Sequence, residues 1–141
     1  MKILIVYYSQ SGNTKKVVEL VEEQLKSLNH DVIVKNALTA KAEQVSDCDL
    51  LLVGTPVHGY ILFGQRPTKE VREFLEQQLP QDLGEKPVIG FATYLFFPAG
   101  ALNPVKKAVE ARNGKLLDLI AERRTKKKAL MDKIIACVDQ I

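Results

Sequence analysis

Tryptophan is absent from the 141 residues, and cysteine, methionine and histidine occur only twice each. Cys48 and Cys137 stand far apart, with no C-x-x-C pair and no cluster of ligand-type residues beside them. A disulfide framework, a metal site and a cysteine nucleophile are therefore not expected, and both residues read as free thiols. No apolar run approaches the roughly 18 residues needed to cross a bilayer. The first such run, residues 3–6, has tyrosines behind it and lacks the pattern of a secretory leader. The sequence thus predicts no membrane association and a cytoplasmic location. Two nucleotide-binding patterns are also missing: G-x-x-x-x-G-K-[ST], which argues against triphosphates, and G-x-G-x-x-G, which argues against dinucleotides.

Charge of one sign is scarce along most of the chain. Residues 1–114 hold 13 basic and 13 acidic side chains, and residues 115–141 hold 7 basic against 4 acidic, so the net charge of +3 resides in the C-terminal stretch. Its focus is Arg123, Arg124, Lys126, Lys127 and Lys128. No aromatic residue is interleaved there and the chain as a whole is not strongly basic, so nucleic acid is not an expected partner. The stretch reads as a solvated loop and first helical turn, or as a docking surface for an acidic partner.

What is present is one domain's worth of chain with 46% apolar residues, enough for a single core. Residues 3–14, I-L-I-V-Y-Y-S-Q-S-G-N-T, combine an unbroken apolar run with a turn rich in hydroxyls and glycine, followed by helical periodicity. That combination predicts a buried parallel strand delivering an anion-binding loop to a helix N-terminus. Ser9, Ser11 and Thr14 offer hydroxyls, Asn13 an amide, Gly12 close backbone approach, and the opening helical N–H groups have no intrahelical partner. No Lys or Arg lies within residues 3–14, so neutral donors and the helix dipole would hold the anion. The same residues also serve simply as a turn and a helix cap, and that alternative stands beside the anion site.

Val17, Val18, Val21, Leu25 and Leu28 then fall at helical spacing, ending at Asn29-His30. Residues 31–35 read as a second strand, and residues 36–47 as at most one or two helical turns. D-L-L-L-V-G, residues 49–54, is a third strand, ending in a glycine and hydroxyl turn, T-P-V-H-G-Y. Pro67 fits the first turn of a helix carrying Val71, Phe74, Leu75 and Leu79, closed by Pro80 and Gly84. A fourth strand spans residues 86–93. The connection after it holds Tyr94, Leu95, Phe96, Phe97 and Pro98, apolar surface that should be covered either by neighbouring protein or by a flat bound ring. Leu102, Val105, Ala108 and Val109 make a helix with Pro104 near its start, residues 116–120 a fifth strand, and a last helix begins near Thr125, with Leu130, Ile134, Cys137, Val138 and Ile141 inward.

This alternation predicts an α/β fold: a doubly wound five-stranded parallel sheet of order 2-1-3-4-5, two helices flanking it on each face, in one domain over residues 1–141. Loops 9–14, 55–66 and 94–101 would meet at the C-terminal ends of the strands, where strand order reverses.

S-Q-S-G-N-T after I-V-Y-Y resembles the phosphate loop of the flavodoxin family, with every position of the family pattern filled, and T-P-V-H-G-Y resembles the loop that flavodoxins place beside the isoalloxazine ring. The resemblance covers nearly the whole chain and its short-chain branch. It implies flavin mononucleotide (FMN) as cofactor, with Ser9, Gln10, Ser11, Gly12, Asn13 and Thr14 around the phosphate. Thr55, Pro56, Val57, His58, Gly59 and Tyr60 would line one side of the ring, and Thr93, Tyr94, Leu95, Phe96 and Phe97 the other. It implies low-potential electron transfer to redox partner proteins; an FMN-dependent NAD(P)H:quinone-type reductase and a flavin-free interaction module are the alternatives. Departures from the family are the basic charge, the lack of Trp and His58 before Gly59. His58 either puts a donor near a flavin that becomes anionic on reduction or is a plain loop residue. Tyr60, Tyr94 and Phe96 are the candidates for ring stacking.

Overall fold

The alternation of side chains along a strand explains why the first apolar run has no polar positions. In β1 (Lys2–Tyr7), Leu4 and Val6 point into one core cluster and Ile3 and Ile5 into another on the opposite face, all four buried. β3 (Leu50–Pro56) does the same, with Leu51 and Val53 on the first face and Leu50 and Leu52 on the second. Strands covered on both sides need apolar residues at every step. The computed structural model describes residues 1–57, 64–98 and 100–141. With β2 (Asp31–Asn36), β4 (Pro87–Tyr94) and β5 (Lys115–Arg123), these strands form one parallel sheet of order β2-β1-β3-β4-β5, the expected doubly wound topology.

Among the described residues the helices divide three and two, not two and two. Residues of α2 (Ala42–Asp47), α3 (Lys69–Gln77) and α4 (Asn103–Ala111) pack into the cluster with Leu4 and Val6, and those of α1 (Asn13–Ser27) and α5 (Lys127–Asp139) into the cluster with Ile3 and Ile5. Right-handed crossovers dictate this, because the steps β2 to β3, β3 to β4 and β4 to β5 run one way across the sheet and only β1 to β2 runs the other. α5 then returns to pack beside α1.

Several boundaries differ from expectation, each for a local reason. β3 ends at Pro56, two residues past its expected end, and Gly54 within it pairs with Tyr7 and Phe91. A Cβ there would sit 2.4 Å from Phe91 Cζ, so the glycine makes room for a buried ring. Pro67 precedes α3 instead of entering its first turn, since Thr68 is the N-cap. Leu79 is buried but follows the helix, consistent with Pro80 disfavouring helical geometry at the residue before it. In α5, Leu130, Ile134 and Val138 face inward, Cys137 is half-buried and Ile141 is exposed.

β5 runs to Arg123, three residues past its apolar stretch, because β4 offers a backbone ladder out to Tyr94. The basic segment is therefore no single loop: Arg123 ends the strand, and Lys127 and Lys128 open α5. β5 is an edge strand, and its register with β4 slips at Leu117, since Leu116 pairs with Val88 and Asp118 with Ile89. Just past the slip, Leu119 N–H donates to the Asp118 carboxylate at 2.8 Å. The Glu122 carboxylate accepts from Lys133 Nζ, which ties the end of β5 to α5. Both cysteines are free thiols, as expected.

Candidate functional site

Parallel strands deliver their C-terminal ends to one edge of the sheet, and β1 and β3 are neighbours there although α1, β2 and α2 separate them in sequence. The loop from Tyr8 to Gly12 follows β1. Tyr8 N–H donates to Gly54 C=O at 3.2 Å, which keeps the loop's start against β3. Gly12 sits at φ 89°, a left-handed conformation that glycine takes at little cost, and no heavy atom lies within 4 Å of where its Cβ would be.

α1 begins without a side-chain cap. Its first intrahelical bond runs from Lys16 N–H to Gly12 C=O at 3.1 Å, so the amides of Asn13, Thr14 and Lys15 precede the ladder. The turn-and-cap alternative therefore fails in its second half: the hydroxyls are in the loop, yet none caps the helix. Ser9 Oγ accepts from Gly12 N–H at 3.1 Å, and Ser11 Oγ accepts from Asn13 Nδ2 at 2.9 Å. Both serine hydroxyls act as acceptors within the loop, which leaves their O–H groups as donors to something else. Open amides, free hydroxyl protons and a positive dipole end make a setting suited to a phosphate.

Thr14 reaches across the site. Its Oγ1 lies 3.0 Å from Thr93 Oγ1, both residues being buried at the junction of α1 with the end of β4. One hydroxyl must donate to the other, and the second keeps its proton for a further acceptor. The pair thus fastens the loop after β1 to the strand that carries the aromatic loop.

A cavity of about 280 Å³ opens between these elements, lined by Gln10, Ser11 and Asn13 of the first loop, Pro56 and Val57 after β3, Thr93, Tyr94 and Leu95 at the end of β4, and Arg124. Ser9, Gly12 and Thr14 are not among its lining residues. Thr55 is fully buried beneath it: its Oγ1 accepts from Thr68 N–H at 3.1 Å and donates to Pro56 C=O at 2.8 Å, so this hydroxyl anchors the start of α3. Val57 N–H donates to Thr93 C=O at 2.9 Å, joining the two ring-side segments. Leu95, Phe96 and Phe97 are 46%, 51% and 48% exposed, and of these three only Leu95 lines the cavity. The aromatic loop has thus not folded down onto the described protein around it. His58, Gly59 and Tyr60 lie outside the described residues.

Arg124 is the residue that sequence reasoning did not bring to the site. It is the single charged residue among the described lining, although 110 positions separate it from Thr14. Its signal was a run of basic residues after an apolar strand. What the run lacked was any sign that the ladder continues through the polar Glu122 and Arg123.

An open parallel sheet with an uncapped helix N-terminus at the point where strand order reverses defines a mononucleotide-binding α/β protein. The model of the flavodoxin domain family matches residues 4–135, and the chain belongs to the flavodoxin family. A flavodoxin of Aquifex aeolicus (strain VF5) is 41% identical over 58 residues, a stretch that covers 40% of this chain and 31%, about a third, of that protein's length. The two-electron reduced flavodoxin of Megasphaera elsdenii superposes with a TM-score of 0.82 at 20% identity, covering 99% of both chains. Oxidised Flavodoxin 2 of Bacillus cereus gives 0.80 at 22% identity over 100% of both. These two likenesses establish the fold. FMN is the cofactor that family membership brings, and the open amides and serine hydroxyls described above fit its phosphate. No helix among the described residues is long and apolar enough to cross a membrane.

Proposed function

We propose that this chain, as a single flavodoxin-like domain over residues 1–141, is a cytoplasmic electron carrier that exchanges single electrons with acidic redox partner proteins. Bound FMN supplies the one-electron chemistry. The α1 amides from Asn13 onward and the hydroxyls of Ser9 and Ser11 would hold its phosphate. Pro56, Val57, Tyr94 and Leu95 would exclude water from the ring, and donor-poor walls of this kind disfavour added negative charge, which keeps the potential low. His58, Gly59 and Tyr60 would complete the ring's other side, as the family resemblance implies.

The observation that carries the carrier reading is the exposed apolar rim of Leu95, Phe96 and Phe97 beside the cavity. Rings left in solvent at the mouth of a cofactor site suit a surface that another protein covers briefly. The cations of residues 123–128 reach the same mouth at Arg124, which favours a partner of opposite charge.

Potentiometric titration of the FMN-loaded protein tests this. Two resolved one-electron steps are expected, and a single two-electron step together with rapid bleaching by NADH or NADPH would instead establish a hydride-transferring reductase.

A further inference from the structure

The two edges of the sheet are not alike. β5 carries a register slip, whereas β2 pairs with β1 in unbroken register from Asp31 to Asn36, and no strand among the described residues covers its outer side. Asp31 N–H donates to Met1 C=O at 2.9 Å and Ala37 N–H donates to Tyr7 C=O at 2.7 Å, so the odd positions of β2 turn their backbone groups toward β1. By the alternation of a strand, Val32, Val34 and Asn36 turn theirs outward. Asn36 C=O already accepts from the N–H groups of Thr39 and Ala40, both at 3.0 Å. The open ladder is therefore confined to Val32 and Val34, with Ile33 at its centre.

The side chains repeat that symmetry. Val32 and Val34 pack into the cluster that α1 covers, which leaves Asp31, Ile33 and Lys35 on the other face of the strand. Ile33 is 46% exposed. Among the described residues, neither Asp31 nor Lys35 forms an ion pair. Residues 31–35, D-V-I-V-K, thus carry opposite charges two positions either side of a central apolar residue.

We propose that the outer edge of β2 is a docking surface for a second copy of this chain, the two strands running antiparallel about a two-fold axis at Ile33. In that register Val32 lies opposite Val34 of the second copy and exchanges both backbone bonds with it. Ile33 meets its own counterpart, and Asp31 faces Lys35 of the second copy on each side of the axis. A shift by two residues in either direction would set Ile33 opposite a charged side chain, so the side chains specify the register. Charges on an edge strand ordinarily turn other chains away, and these admit only a complementary one. Because the strands run antiparallel, the two cavities come to lie at opposite ends of one continuous sheet. The edge shares no residue with the cavity, so dimer formation and FMN binding stand or fall separately.

Sedimentation equilibrium over a concentration series tests this with wild type, Asp31→Lys, Lys35→Asp and the double exchange. Wild type should show a concentration-dependent dimer that added salt weakens. Each single reversal turns both opposite-charge pairs into like-charge pairs and should weaken the dimer by about tenfold or more. The double exchange should restore it, and the two single variants, once mixed, should form a heterodimer. Amide exchange supplies the backbone readout: protection of Val32 and Val34 N–H in wild type should rise with protein concentration. A wild type that stays monomeric up to about 1 mM would overturn the proposal. So would a dimer that both single reversals leave unchanged, which would place the contact on another surface. Should a single variant fail to fold, amide exchange in wild type decides, and protection of Val32 and Val34 that is independent of concentration would overturn the assignment.

Discussion

Two close contacts, one at the site and one in the core, each make a separate prediction. Thr14 and Thr93 join α1 to β4 through buried hydroxyls 3.0 Å apart. Replacing either one by Val leaves its partner buried and unpaired, at a cost of about 1–3 kcal/mol. Replacing both removes the orphan, so Thr14→Val with Thr93→Val should be less destabilised than the sum of the two single variants. Urea midpoints of the four apo proteins read this directly, and strict additivity would show that the hydroxyls do not interact. Gly54 and Phe91 form the second pair. With Cζ only 2.4 Å from where a Cβ would sit, Gly54→Ala must displace a fully buried ring. The expected loss is about 1–3 kcal/mol, seen as a lower urea midpoint at unchanged slope. An unchanged midpoint would mean the ring moves aside freely.

At the scale of elements, the join between β5 and α5 adds an ion pair to apolar packing and so answers to pH. The hydrogen bond from Lys133, together with that cation's charge, holds the Glu122 carboxyl below the ordinary glutamate range. A carboxyl whose folded pKa is depressed stabilises the fold above its unfolded pKa, and the contribution is lost as pH falls through the folded value. Glu122→Gln should therefore lower the urea midpoint near neutral pH and make little difference in acid. An equal deficit at both pH values would show that the pair acts by shape and not by charge. The two thiols make a further comparison. Burial pushes both upward in pKa, but Cys48 is 6% exposed whereas Cys137 is half-buried. Iodoacetamide at neutral pH should label Cys137 first, and mass spectrometry of a time course shows the order.

Which elements were legible in the sequence follows from what formed them. β1 and β3 are set by burial on both faces, and burial on both faces writes an unbroken apolar run. Strand order came with them. The end of β5 was not legible, because its last residues are held by β4's backbone and a backbone ladder leaves no mark on side-chain type. Arg124 was missed for that reason alone. Gly54 was read inside its strand, but the close approach of the Phe91 ring, 37 positions later, that calls for a glycine there left no mark on the sequence.

For the molecule as a whole, the charge asymmetry becomes a rate. The net +3 resides in residues 115–141, and the run of cations at its focus, residues 123–128, reaches the cavity through Arg124. Electron exchange with an acidic partner protein should slow as ionic strength rises, and exchange with a basic one should quicken. Stopped-flow rates over a salt series separate the two, and a flat response for both would mean that the basic run plays no part in encounter. The sheet has a margin of its own on that side. β5 presents an unpaired edge, yet its ladder is kinked at Leu117 and the amide of Leu119 is already occupied by the carboxylate of Asp118. A second molecule approaching strand to strand would find one rung missing and a negative charge in its place. Along this edge, the extra residue and the carboxylate beside it should oppose strand-to-strand growth into fibrils.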